Sequence, residues 1–304
     1  VNREFENGGW ATDGATDLPV TDEVSLRIAA HVADRDGWVK NTATGDNTPV
    51  DDEVGIRLTA VYDDAQSLLV TTTYQYNDNE RKGNGFQLVD RNGFYTPDVL
   101  SIIGELKLDD SKNSVCPECP NNDSFHDVNA DMFNIMVERD YDNVLLTTVT
   151  SLAQYDLSYI DDFDFSNAFD EVTYVSLNPG VVEPYSMTFQ RDEDYQQISQ
   201  EIRLTSPTDD MYEYMVGLFY FQSDWQSSET QFWRTPNFPT TNPGQLFNGS
   251  FTNNFNQETE TKSVFGNLTY HFNERLSGTI GLRYTDEQKD VRFDRLMGTP
   301  VTLW

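Results

Sequence analysis

The feature that most constrains this sequence is the strict alternation of short and long segments between its predicted strands. Val, Ile, Thr, Tyr and Phe recur with a period of two residues, which predicts β-strands rather than helices. The nine predicted strands cover residues 23–35, 52–62, 67–79, 131–140, 143–159, 193–205, 212–224, 258–272 and 275–290. Short connections lie at 63–66, 140–142, 206–211 and 273–274, whereas long ones lie at 36–51, 80–130, 160–192 and 225–257, and a fifth begins after Asp290.

This alternation of connection lengths predicts a membrane barrel. Successive antiparallel strands run in opposite directions, so the short connections fall at one rim and the long ones at the other. Outer-membrane barrels have tight periplasmic turns and long extracellular loops, whereas a soluble sandwich or propeller spaces its turns more evenly. The predicted fold class is therefore all-β, an antiparallel transmembrane β-barrel with short periplasmic turns and long extracellular loops.

Four predicted strands share a pattern in which one arginine stands between two apolar or aromatic residues. An arginine facing lipid near the bilayer midplane costs about 2 to 4 kcal/mol. Because side chains alternate between the two faces of a strand, placing the arginines in the lumen turns their apolar neighbours toward lipid. The predicted lumen-facing residues are Arg27, Arg57, Arg203 and Arg283.

Composition and charge exclude several other classes of protein. Only 37% of residues are hydrophobic, and no run reaches the ~18 apolar residues of a membrane helix. The formal charge of −31 argues against a sequence-independent grip on nucleic acid phosphates, so no nucleic acid partner is expected. Phosphate-binding, dinucleotide-binding, paired-histidine zinc and nucleophile-elbow motifs are missing from the sequence, so neither an enzyme, a cofactor nor a metal site is predicted.

The two cysteines, Cys116 and Cys119, lie three residues apart in a polar segment. An even and low cysteine count suits an oxidising compartment, and the predicted state is a disulfide. A free thiol pair and a zinc site remain alternatives, although zinc needs further ligands and the chain has three histidines.

Several segments, in this order, resemble the barrel domain of the TonB-dependent receptors of Gram-negative bacteria. The segments are Arg35–Trp38, Asp52–Leu58, Gln200–Ser206, Val216–Phe221, Phe265–Phe272 and Gly281–Thr285. The resemblance spans nearly the whole chain. It implies that residues 1–304 are a partial receptor barrel domain, about nine strands of a roughly 22-stranded barrel, with no counterpart here of the family's plug domain, its energy-coupling box or its final strands.

The resemblance also implies a function. Such a receptor lies in the outer membrane, contacts lipopolysaccharide and outer-membrane lipid, and takes up a scarce solute, typically a ferric siderophore or another iron complex. It is not an enzyme, and its energy comes from the TonB–ExbB–ExbD complex acting through the plug region. A passive porin-type channel and a secreted β-rich carbohydrate-active protein remain alternatives.

Aromatic residues in the long predicted loops are the candidate ligand contacts, because binding function concentrates in loops. Aromatic rings exposed on a polar loop need something to cover, which a ligand would supply. The alternative is that these rings pack the loops against one another. The candidates are Phe86, Phe94, Tyr95 and His126 in segment 80–130, and Trp225, Phe232 and Trp233 in segment 225–257.

Overall fold

A computed structural model describes residues 2–3, 8–87, 111–116, 119–163, 165, 186–208, 211–236 and 246–298 of the chain. The strands are β1 (Asn2–Arg3), β2 (Trp10–Pro19), β3 (Val24–Arg35), β4 (Val39–Asn41), β5 (Asn47–Thr48), β6 (Val50–Asp63), β7 (Leu68–Lys82), β8 (Ser111–Lys112), β9 (Phe125–Asp140), β10 (Leu145–Asp162), β11 (Ser186–Thr205), β12 (Tyr212–Pro236), β13 (Leu246–Asn273) and β14 (Leu276–Met297). Pro120–Asn122 form one 3₁₀ turn. No helix in these ranges is long and apolar enough to cross a membrane.

The strands form one large antiparallel sheet and one small sheet. The large sheet has the order β1-β2-β3-β6-β7-β9-β10-β11-β12-β13-β14, and the small sheet has the order β5-β4-β8. Each long strand pairs with its long neighbours along the chain, and within the described residues the large sheet ends at β1 and β14. The predicted antiparallel all-β fold is confirmed.

The predicted alternation of connection lengths is also confirmed. The links at 20–23, 64–67, 141–144, 206–211 and 274–275 lie at one end of the large sheet. The strand ends at Arg35, Lys82, Asp162 and Pro236, which the long connections follow in the sequence, lie at the other end.

The predicted strand count and several boundaries were wrong. The sheet has ten long strands, because β2 pairs with β3 from Trp10 to Pro19 although two aspartates, Gly14 and Pro19 make it a weak strand former. Strands β9 and β11 begin earlier than predicted, at Phe125 and Ser186. Most of the predicted loop 225–257 belongs to β12 and β13, whose polar alternation looks like loop sequence.

Cross-strand register assigns the side chains of the large sheet to two faces, since directly paired residues point to the same side. One row of partners is polar except for one phenylalanine, and it defines the polar face: Asp17, Arg27, Thr59, Thr73, Asn134, Ser151, Ser199, Phe221, Thr261 and Glu287. A row of the opposite parity is apolar except for one threonine, and it defines the apolar face: Val24, Tyr62, Val70, Val137, Thr148, Ile202, Leu218, Val264 and Tyr284.

Burial is inverted relative to a water-soluble protein. On the apolar face, Ile28 is 41% exposed and Leu218 is 58% exposed, whereas on the polar face Thr147 is 2% exposed and Glu193 is 8% exposed. The buried hydrophobic residues in the described ranges are few: Ala33, Val39, Val115, Cys116, Cys119 and Ile160. A soluble body buries its large apolar side chains and rarely exposes a patch of this extent. The apolar face is therefore the surface that meets hydrocarbon.

The upper edge of the apolar face descends across the sheet. On β3 the face stays apolar up to Val32, and Asp34 follows at the next position of the same parity. On β12 it ends at Tyr220, and Gln222 follows. The row through Tyr220 reaches β3 at Leu26, by way of Gln200, Thr150, Ile135, Thr72 and Ala60. Val32 lies six residues beyond Leu26 on β3, so the edge moves by six residues along the strands between β3 and β12.

A loop cap, formed by residues 37–48, 83–87, 111–116 and 119–124, sits at the end of the sheet with the long connections. Its three-stranded sheet pairs β4 with β5 antiparallel and with β8 parallel. The sulfurs of Cys116 and Cys119 form a disulfide with a Cα–Cα distance of 5.2 Å, and Ile160 and Phe125 pack against it. The small buried apolar cluster of the described residues therefore lies where the cap meets the ends of β9 and β10.

The inverted faces predict opposite effects for arginine at two positions of β11. Ile202→Arg places a cation on the apolar face and should cost about 2 to 4 kcal/mol near the midplane. Ser199→Arg places the same side chain on the polar face and should be tolerated. Urea titration of the protein folded into lipid vesicles measures both, and equal destabilisation of the two variants would contradict the assignment of faces.

The turn at 64–67 predicts a pH-dependent contribution from Asp64. Its Oδ1 accepts hydrogen bonds from the backbone N–H groups of Gln66, Ser67 and Leu68 at 2.9, 2.7 and 2.8 Å, and these bonds hold the pKa of the carboxyl below its usual value. A depressed pKa gives stability that is present above the unfolded value and is lost as the pH falls through the folded one.

Asp64→Ala should therefore lower the thermal midpoint at neutral pH and have little effect in strong acid. Asp64→Asn should keep part of the stability, because its amide oxygen also accepts hydrogen bonds. Asp22→Ala, in the turn at 20–23, is the matched control. An equal change of the thermal midpoint in Asp22→Ala and Asp64→Ala would contradict the prediction, because it would show that removing any exposed turn carboxylate has the same effect.

Candidate functional site

The four arginines predicted to face the lumen all lie on the polar face, where each has a polar partner. Arg27 donates to Asp17 at 2.8 Å and Arg57 donates to Gln75 at 3.0 Å. Arg203 lies 3.4 Å from a Glu201 oxygen, and Arg283 donates to Ser263 at 3.0 Å. The sheet thus gives these cations hydrogen-bond partners on the side away from the exposed apolar residues.

Trp225, Phe232 and Trp233 lie on β12 and not in a loop, which corrects their predicted placement. Register places Trp225 opposite Tyr195 and Trp233 opposite Met187, both on the polar face. Phe232 is of the other parity and therefore points away from the two tryptophans. Adjacent positions on a strand face opposite sides, so Phe232 and Trp233 do not share one binding surface.

The candidates of segment 80–130 lie at the loop cap or outside the described residues. Phe86 is 59% exposed, and its ring packs edge-on to Phe165 at 5.6 Å. His126, on β9, pairs with Asp161 at 3.0 Å and stacks on Tyr159 at 5.1 Å. Phe94 and Tyr95 lie outside the described residues.

The polar face of β10–β13 carries a cluster of aromatic, charged and polar side chains, which we call the Arg191 patch. It combines aromatic rings with one partly buried network of charges and polar groups. Its members are Tyr155, Tyr159, Phe189, Arg191, Glu193, Tyr195, Trp225, Glu229, Trp233, Asn253 and Phe255.

Arg191 is the centre of the charge network in this patch. One guanidinium nitrogen lies 3.0 Å from Glu229, and another lies 3.3 Å from Glu193. Tyr155 donates its hydroxyl to Glu193 at 3.2 Å, and Asn253 donates to Glu229 at 3.5 Å. Arg191 therefore holds two carboxylates together on a face where direct repulsion would otherwise separate them.

Aromatic rings surround this charge network. Tyr155 stacks on Tyr195 with ring centroids 5.2 Å apart, and Tyr159 stacks on Phe189 at 5.7 Å. The Trp225 ring lies 4.8 Å from that of Phe255. Such rings give a rigid apolar wall with polar groups set into it, which is the usual composition of a small-molecule site.

Hydrogen-bonding atoms without a partner concentrate in the Arg191 patch. Within the described residues, the buried side-chain atoms that lack one are Asp78 Oδ1, Arg191 Nε, Trp225 Nε1, Trp233 Nε1 and Asn253 Oδ1. Four of these five atoms belong to the patch, and three of the four are N–H donors. Buried polar groups are nearly always satisfied, and each that is not costs about 1 to 3 kcal/mol. The patch therefore offers donors to an oxygen-bearing ligand.

The polar groups and rings of the patch are of the kind that bind a small molecule. In the part of the chain that the structure describes, no group of three or more His, Cys, Asp or Glu side chains is arranged to hold a metal ion. Both carboxylates of the patch, those of Glu193 and Glu229, pair with Arg191, and the other groups of the patch are rings, amides and hydroxyls.

Sequence reasoning found Trp225 and Trp233 but missed the residue at the centre of the patch. Arg191 lies two residues before the predicted start of β11 at residue 193, in phase with Glu193 and Tyr195. Extending that alternation backward would have placed Arg191 on the polar face with Arg203. The acidic residues between them concealed the strand.

The comparisons with known proteins gave matches among solved structures. No protein-family model matches the chain, and no curated protein matches it. The ferric yersiniabactin uptake receptor of Yersinia pestis matches 96% of the chain with a TM-score of 0.63 and 13% identity. The ferripyoverdine receptor of the outer membrane of Pseudomonas aeruginosa matches 95% of it with a TM-score of 0.51 and 14% identity. The ferric-catecholate import receptor of E. coli K12 matches 95% with a TM-score of 0.53 and 9% identity.

These matches cover the chain but only part of each receptor. The chain spans 41%, 38% and 46% of the three solved chains, respectively. At such low identity the likeness concerns the fold. The resemblance predicted from the sequence is confirmed at that level: the chain folds as a stretch of the barrel of a TonB-dependent siderophore receptor.

Proposed function

We propose that this chain is part of an outer-membrane receptor, not an enzyme, that takes up a scarce solute by a TonB-dependent route, with a ferric siderophore or similar iron complex as the solute. The observation that carries the proposal is the inverted sheet, with an exposed apolar face and a charged polar face. This arrangement suits a wall between lipid and a wet lumen. The solved structures that share the fold are receptors for ferric siderophores, which supports the choice of solute.

The Arg191 patch is the proposed ligand-contact surface within this part of the receptor. Indole and guanidinium N–H groups without partners favour a ligand rich in oxygen acceptors, and the surrounding rings favour a ligand with planar groups. Ferric chelates of the catecholate and hydroxamate classes have both properties. Phe86, Phe94, Tyr95 and His126, with the disulfide-bonded loop cap, are proposed to contact the same ligand.

The remaining parts of the proposal concern the whole receptor. We place residues 1–304 within a closed barrel of roughly 22 strands that encloses a plug, through which TonB–ExbB–ExbD would act. Lipopolysaccharide would contact the polar residues above the apolar face. A secreted carbohydrate-active protein is disfavoured, because it would have to expose the apolar face to water.

Growth under iron limitation tests the proposed uptake. A strain that lacks the gene should grow more slowly than its parent in iron-depleted medium and equally well in iron-replete medium. Accumulation of the radiolabelled ferric chelate should require both this gene and TonB. Accumulation that persists without TonB would instead indicate a passive channel, and normal growth and accumulation without the gene would refute iron uptake.

The opposite orientations of Phe232 and Trp233 give a matched test of the ligand surface. Trp233→Ala removes a ring and an N–H donor from the polar face, so affinity for a bound ferric catecholate or ferric hydroxamate should fall about tenfold or more. Phe232→Ala removes a ring from the other face and should leave affinity unchanged. Tryptophan fluorescence quenching or calorimetry on the purified receptor measures both. Equal affinities for Trp233→Ala and the wild type would remove the upper part of β12 from the site.

A further inference from the structure

The loop cap contains a buried lysine in contact with a buried asparagine. The Lys112 side chain is 3% exposed, and Asn84 is 4% exposed. These residues flank segment 88–110, since Asn84 follows the end of β7 and Lys112 ends β8. A lysine is seldom buried so fully unless it is paired, and the partners of Lys112 therefore bear on what it does.

The Lys112 amine faces both carbonyl groups of Asn84. Nζ lies 2.7 Å from the backbone oxygen and 3.3 Å from the side-chain Oδ1. Since a C=O bond is about 1.2 Å long, the side-chain Cγ lies within about 4.5 Å of the amine. The nucleophilic nitrogen and an amide carbon are thus held next to each other in a site that excludes water.

Two carboxyl groups flank this amine and amide pair. Asp123 Oδ1 lies 4.0 Å from Lys112 Nζ. The side-chain N–H groups of Asn84 donate hydrogen bonds to Asp161 Oδ1 at 3.1 Å and to Ser124 Oγ at 3.1 Å. One carboxyl is therefore placed beside the attacking nitrogen, and the other is placed beside the nitrogen that would leave.

Burial sets the protonation states of these groups in the direction that acyl transfer requires. Desolvation lowers the pKa of the Lys112 amine, which favours the neutral, nucleophilic form. Desolvation also raises the pKa of the Asp123 carboxyl, so this group can accept and hold a proton. An exposed lysine and asparagine at the same distance would lack both properties.

We propose that Lys112 and Asn84 form an intramolecular isopeptide bond. The lone pair of Nζ attacks Cγ of Asn84, a new Cγ–Nζ amide forms, and the Cγ–Nδ2 bond breaks. The proton that Nζ loses passes through the neighbouring carboxyl groups to Nδ2, which leaves as ammonia. No oxidant or cofactor is consumed, and both carboxyl groups return to their starting state.

The bond would close a covalent ring at the base of segment 88–110. The disulfide-bonded Cys116 and Cys119 follow Lys112 in the sequence by four and seven residues. Two cross-links of different chemistry would therefore stabilise the same cap. A loop cross-linked at its base loses conformational entropy in the unfolded state. Unlike the disulfide, the amide survives reducing agents.

Mass spectrometry of the protein isolated from membranes, fully reduced and denatured, tests this proposal directly. The wild type should weigh less than its sequence by one molecule of ammonia. After trypsin digestion, the peptide of residues 83–91 should be joined to the peptide of residues 108–139, because cleavage after a modified Lys112 is blocked.

Two lysine variants complete the experiment. Lys112→Arg keeps the charge but removes the amine, so the full mass and separate peptides should return. Lys82→Arg changes an exposed lysine on the neighbouring strand and should retain the mass loss. A wild-type protein of full mass that yields residues 83–91 as a free peptide would overturn the proposal, as would a mass loss that persists in Lys112→Arg.

Discussion

The structure depends on one constraint, which is that every backbone N–H and C=O group inside a membrane must find its partner within the protein. Antiparallel strands meet this constraint by pairing with their chain neighbours, as the eight long strands between β2 and β14 do on both sides. Pairing then fixes the faces, because a period of two sends alternate side chains to opposite sides. The exposed Ile28 and the buried Thr147 both follow from the same ladder of hydrogen bonds.

The constraint explains which elements could be predicted from the sequence. In strands such as β3 and β6, polar or small residues alternate with leucine, isoleucine and valine, so the part that crosses lipid can be recognised in the sequence. Above the lipid, both faces are polar and the selection for apolar residues ends. The upper halves of β12 and β13 therefore look like loop, although their ladder continues from Tyr212↔Tyr270 to Pro236↔Leu246.

The candidate site could be predicted only in part from the sequence, for a related reason. Tryptophans are conspicuous in a sequence, but their face depends on register, which is known only once the strand is located. Trp233 and Phe232 looked like one aromatic pair and lie on opposite sides of the sheet. Arg191 was hidden among acids, because cross-strand partnership with Glu229, 38 residues away, cannot be inferred from local sequence.

The descending edge of the apolar face gives the strands a measurable tilt. A six-residue displacement across the six strand-to-strand steps from β3 to β12 is about one residue per strand. With a rise of ~3.3 Å per residue and a strand spacing of ~4.8 Å, the strands lean by about 35° from the membrane normal. Residues that pair across the sheet therefore lie at different heights above the membrane. The row of paired residues that contains Arg191 begins at Arg35, close to the apolar face, and ends at Arg295, far above it.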